Sequence, residues 1–70
     1  MAEKLLRITL KAARVNAGLT QTQAGEKMGV KKDKVLAWEK HPEKVTAAEM
    51  YLITKTYGIP ADNLIFLSSD

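Results

Sequence analysis

Thr20-Gln21-Thr22-Gln23-Ala24-Gly25-Glu26-Lys27-Met28-Gly29-Val30-Lys31-Lys32-Asp33-Lys34-Val35-Leu36-Ala37-Trp38-Glu39-Lys40 is the stretch on which the fold turns. It opens with Thr at a helix N-cap and Gln three residues later, a capping box that satisfies two orphan backbone donors. Ala24 and Met28 then repeat at i, i+4, and Gly29 ends this helix after about two turns. Past the tight turn at Gly29-Val30, a second helix is predicted over about 31–40. Val35 and Trp38 lie at i, i+3 on one of its faces, and Lys32, Asp33, Leu36, Ala37 and Lys40 on the other. Pro42 prevents much extension beyond it.

On the N-terminal side a helix is expected over about 9–17. Leu10, Ala12, Ala13 and Ala17 share a face there, Arg14 lies beside it, and Gly18 suits the C-terminal cap. On the C-terminal side, Thr46-Ala47-Ala48-Glu49 is a second capping box. Ala47, Met50, Ile53, Thr54 and Tyr57 follow it at three-to-four spacing until Gly58 stops the helix. A last short turn is expected near Pro60, over about 61–64. The segments 4–8 and 64–67, rich in Leu, Ile and Phe, are expected to pair as short strands. The fold class is all-α: a bundle of five short helices with a short terminal β-strand pair.

Seventy residues hold one small domain, taken as 1–70 with its core over about 8–65. A hydrophobic share of 46% and a charged share of 27% is the balance of a soluble globular chain. With no cysteine, disulfides, thiolate zinc sites, iron–sulfur clusters and thiol catalysis are excluded together. One histidine makes no His-rich metal site, so no metal and no cofactor is expected. No nucleophile–base pair is visible, and so small a helical domain offers little pocket, which argues against an enzyme and a small-molecule substrate. The net charge is +3, unevenly spread. From Gly58 onward the chain carries two acids and no base, and the eleven bases of the rest against six acids leave it +5. A basic body with an acidic tail fits a polyanionic partner. The N-terminal apolar run breaks at Arg7, so neither a signal peptide nor a membrane partner is expected, and the predicted location is the cytoplasm.

Two short helices joined by a tight turn at about 20–40, within a bundle of short helices, form the helix-turn-helix pattern, whose second helix enters the DNA major groove. Val35 and Trp38 supply the inward anchors, while Lys31, Lys32 and Lys34 crowd the entry turn. The chain also resembles the Xre/Cro family of phage-repressor-like (lambda repressor-like) helix-turn-helix domains, without a gap over about 8–65. Leu10, Arg14, Gly18-Leu19-Thr20-Gln21, Gly29-Val30, Val35, Trp38-Glu39, Met50, Ile53, Tyr57-Gly58-Ile59, Asp62 and Leu64 carry the resemblance. Ile8 to Asn16 and Trp38-Glu39-Lys40 also look like prophage-encoded regulators. The resemblance implies a transcriptional repressor of double-stranded DNA operators. It places Gln21 and Lys31 near phosphate, Lys32, Asp33 and Ala37 at base-reading positions, and Lys40 and Lys44 on the DNA backbone. It also implies that Arg14 and Glu39 form an ion pair tying the first helix to the end of the recognition helix. Lys31 departs from the family's Ser or Thr at the recognition-helix cap, so that end is expected to be poorly capped, partly offset by Asp33. Ala24-Gly25 stands where Leu-Ala is usual, so a thinner contact between the two motif helices is expected. His41 stands for the common Gly.

Lys32 can donate to guanine acceptors and Asp33 can accept from a cytosine amine; Leu36 and Ala37 offer only apolar contact. The basic cluster at 31–34 is read as DNA contact over a plain solvated face. Trp38 is read as core over a base-stacking residue, and His41 as neither sensor nor ligand. Leu36 stands equally as a base contact or as lateral packing. Ile65, Phe66 and Leu67 either fold onto the domain's own core or form the seam of a homodimer reading half-sites roughly 34 Å apart. The alternative function is a protein-interaction module on the same fold, such as an antitoxin or partner-docking domain. An apolar groove over 31–40 would favour it, and only Leu36 and Ala37 suggest one.

Overall fold

Threonine hydroxyls start three of the four α-helices among the described residues. Thr9 Oγ1 accepts the Ala12 N–H at 3.0 Å, Thr20 Oγ1 the Gln23 N–H at 3.0 Å and Thr46 Oγ1 the Glu49 N–H at 3.2 Å. Gln23 and Glu49 accept in return from the N–H of Thr20 and Thr46, at 2.9 and 3.0 Å, closing both predicted capping boxes. The computed structural model describes residues 7–66. In it α1 spans Leu10–Asn16, α2 Gln21–Met28, α3 Lys32–Lys40 and α4 Ala47–Tyr57, with single 3₁₀ turns at Pro42–Lys44 and Ala61–Asn63. No side chain caps α3, because Lys31 at its N-cap has no acceptor to offer.

The turn between α2 and α3 depends on two glycines. Gly29 sits at φ 74°, ψ 27°, the left-handed conformation that a Cβ disfavours. There the Val30 N–H turns back to the Gly25 carbonyl at 2.8 Å. Gly25 is buried, and a Cβ on it would lie 2.6 Å from the Val30 oxygen. The small Ala24-Gly25 pair is therefore matched by a close approach of backbone to backbone, and α2 and α3 form the most extensive helix contact.

Leu10, Ala13, Ala24, Met28, Val35, Trp38, Val45, Ile53, Tyr57 and Leu64 form one buried cluster drawn from every α-helix and the segments after α3 and α4. Two sequence expectations are corrected at the C-terminal side. The predicted fifth helix is a single 3₁₀ turn, because Leu64 leaves it at φ −111°, ψ 147° to meet the other end of the chain. The expected strand pair is one parallel bridge, Ile8 with Leu64, in which Ile8 donates to the Asn63 carbonyl at 2.9 Å and Ile65 to the Ile8 carbonyl at 3.0 Å. Residues 4–6 and Leu67, included in that expectation, lie outside the described residues. No helix among the described residues is long and apolar enough to cross a membrane.

Candidate nucleic-acid interface

The 3.6-residue period divides α3 into two faces. Val35 is fully buried and Trp38 is 4% exposed, packed within the cluster. Lys32, Asp33, Leu36, Ala37 and Lys40 are all exposed, as is Lys31 at the N-cap. The face that sequence reading assigns to DNA is thus solvent-facing, while the helix is held from behind by its two anchors. Leu36 is 42% exposed, which favours an outward contact over lateral packing. Lys44, in the 3₁₀ turn after α3, is also exposed.

Behind this face lies a polar network linking α1, α2 and α3. Arg14 Nε donates to Glu39 Oε2 at 2.7 Å, with both side chains only 9% exposed. A second Arg14 nitrogen donates to the Leu19 carbonyl at 2.9 Å, and Gln21 Nε2 donates to Glu39 Oε1 at 3.1 Å. The ion pair implied by the family resemblance is present, and Glu39 spends its second oxygen on Gln21. Gln21, assigned from sequence to phosphate, is therefore oriented by the protein. It shares the wall of an open cleft of about 520 Å³ with Thr20, Thr22 and Lys32.

Tyr57 of α4 packs beside the network. Burial, then the Glu39 charge, pushes its phenol up to about 12, with Arg14 opposing. The neutral phenol is favoured in the folded state, so the unfolded chain ionises first, near its ordinary value of 10. Stability attached to Tyr57 is complete below that pH and falls as the pH rises towards 12. Alkaline titration of unfolding free energy should show a loss of about 1–3 kcal/mol that Tyr57→Phe removes. An identical alkaline loss in Tyr57→Phe would assign it to other groups.

Lys34, assigned from sequence to DNA, is exposed and also has a partner within the protein. Its ammonium lies 3.0 Å from Glu49 Oε2 of α4, because position 34 falls on the flank of α3 that faces α4. Glu49 is held below the usual carboxylate range, first by the Thr46 backbone N–H, then by Lys34 and least by the Trp38 indole. That indole N–H, though buried, completes no hydrogen bond of good geometry among the described residues. Sequence reading saw Glu49 only as a cap. His41, exposed in the loop, has its Nδ1 3.5 Å from Glu43. Of the three residues offered as a dimer seam, Phe66 packs against the chain's own core, Ile65 is half-buried and Leu67 lies outside the described residues.

Residues 10–64 match the model of a family described as helix-turn-helix. No curated protein and no solved structure matches the chain. The family match spans α1 through the final bridge residue, and the capped pair α2–α3 with its glycine turn forms the motif itself. The chain therefore belongs to the Xre-type helix-turn-helix family, whose domains are DNA-binding regulators.

Proposed function

We propose that this protein is a sequence-specific transcriptional regulator of the phage or prophage repressor kind, inserting α3 into the major groove of an operator. The observation that carries the reading is the outward face of α3, where Lys32, Asp33, Leu36, Ala37 and Lys40 stand exposed on a helix anchored by Val35 and Trp38. Lys32 donates to guanine acceptors, Asp33 accepts from a cytosine amine, and Leu36 and Ala37 meet thymine methyl groups. Lys31, Lys40 and Lys44 hold phosphates and fix the register, as does Gln21 at the start of α2. Residues 1–70 act as one domain in the cytoplasm, without a reaction or cofactor. Two copies joined through Ile65, Phe66 and Leu67 read half-sites roughly 34 Å apart.

Selecting duplexes from a random pool and titrating the winners tests this. The selected site should bind far more tightly than random duplex, with affinity falling steeply as salt rises. Lys32→Ala should lose about 1–3 kcal/mol on the selected site and relax one base position. Equal losses on selected and random duplex would make Lys32 a phosphate contact. Failure to bind any duplex at low salt would remove the reading.

A further inference from the structure

Lys34, exposed on the flank of α3 nearest Glu49, has a partner on α4. Glu49 Oε1 is occupied by the Thr46 N–H at 3.0 Å, which leaves Oε2 aimed at Lys34 Nζ, also at 3.0 Å. One side chain thus serves as a helix cap and as an internal counterion to a base on α3. The Glu49 side chain is 23% exposed and Lys34 half exposed, so the pair sits at the surface, within reach of a polyanion bound along α3.

We propose that Glu49 is a positioning residue that withholds Lys34 from the DNA backbone and so limits the sequence-independent part of binding. This rests on the DNA-binding reading above. The argument is one of charge balance. A free surface lysine adds affinity by displacing a condensed cation when it meets a phosphate. Lys34 is already neutralised by Glu49, and moving it to a phosphate would leave a bare carboxylate, tethered by its cap bond, beside the polyanion. The exchange gains no net neutralisation. Exposed ion pairs are individually weak, but this one needs no ordering of its carboxylate, since the capping box has already done so.

Glu49→Gln is a clean probe, because Gln also serves at this position of a capping box and the helix start is retained. Binding of the full chain to random duplex is measured across 50–200 mM salt for wild type, Glu49→Gln and Glu49→Gln/Lys34→Ala. Freeing Lys34 should steepen the slope of log affinity against log salt by about 0.9, an extra loss of about 3.5-fold over that range. The double variant should return to the wild-type slope. An unchanged slope in Glu49→Gln overturns the proposal. So does a double variant that keeps the steeper slope, since Glu49 would then act on DNA directly and not through Lys34. Absence of wild-type binding even at low salt would instead sink the DNA-binding reading itself.

Discussion

Trp38→Ala should strip the chain of about 3–5 kcal/mol of stability, a third or more of what it has. The indole is 4% exposed at the centre of a core that draws on every helix. Removing a buried aromatic costs about 3–5 kcal/mol in transfer and cavity terms. A chain of this size has only about 4–10 kcal/mol of net stability. The buried indole N–H lacks a well-formed hydrogen bond, so no polar contact of that kind is lost with it, and the effect is one of packing. Urea unfolding followed by circular dichroism would measure the loss. A Trp38→Ala protein that stays folded with wild-type midpoint but no longer binds duplex would move Trp38 from the core to the interface.

Glu39→Ala is expected to be nearly as damaging, for a different reason. It leaves Arg14, 7% exposed, without its counterion and removes the acceptor of the Gln21 amide. Stripping one partner from a buried pair costs about 3–5 kcal/mol, most of it the penalty of an uncompensated charge. Replacing both partners with apolar residues of similar volume, as in Arg14→Met/Glu39→Leu, should recover most of that loss. The single and double variants therefore separate the burden of a stranded charge from the net worth of the pair. A Glu39→Ala loss within about 1 kcal/mol of wild type would class the pair with screened surface bridges. DNA affinity of the double variant adds a second readout, because Gln21 loses its orienting partner even where stability is restored.

Local chemistry made much of the fold legible. Thr20 with Gln23 and Thr46 with Glu49 mark helix starts because their partners lie three residues away, and the observed bonds are the expected ones. Gly29 and Gly58 mark helix ends by their left-handed backbone, a property of the residue and not of its surroundings. Val35 and Trp38 announced the buried side of α3 by spacing alone. Thr9 was legible in principle as a third cap, by the same hydroxyl chemistry, yet no Glu or Gln follows it to complete a box.

Contacts between elements were not legible in this way. Nothing in the pattern around Lys34 distinguishes it from Lys32, yet one side chain is engaged by α4 and the other stands on the open face. Gln21 meets Glu39 across eighteen positions, and Gly25 is constrained by a carbonyl in the following turn. The segment over 61–64 reads as helix by composition but is held to one 3₁₀ turn by the bridge between Ile8 and Leu64.

Residue order alone specifies where the helices begin and end, which side of α3 is apolar, and the helix-turn-helix pattern. Those properties depend on backbone hydrogen bonds and side-chain periodicity within a few residues. Which lysine pairs with Glu49, what holds Gln21, and the single bridge between Ile8 and Leu64 follow instead from packing between elements. Each of these depends on how neighbouring helices cross, which brings the Glu49 carboxylate of α4 within 3.0 Å of the exposed Lys34 ammonium.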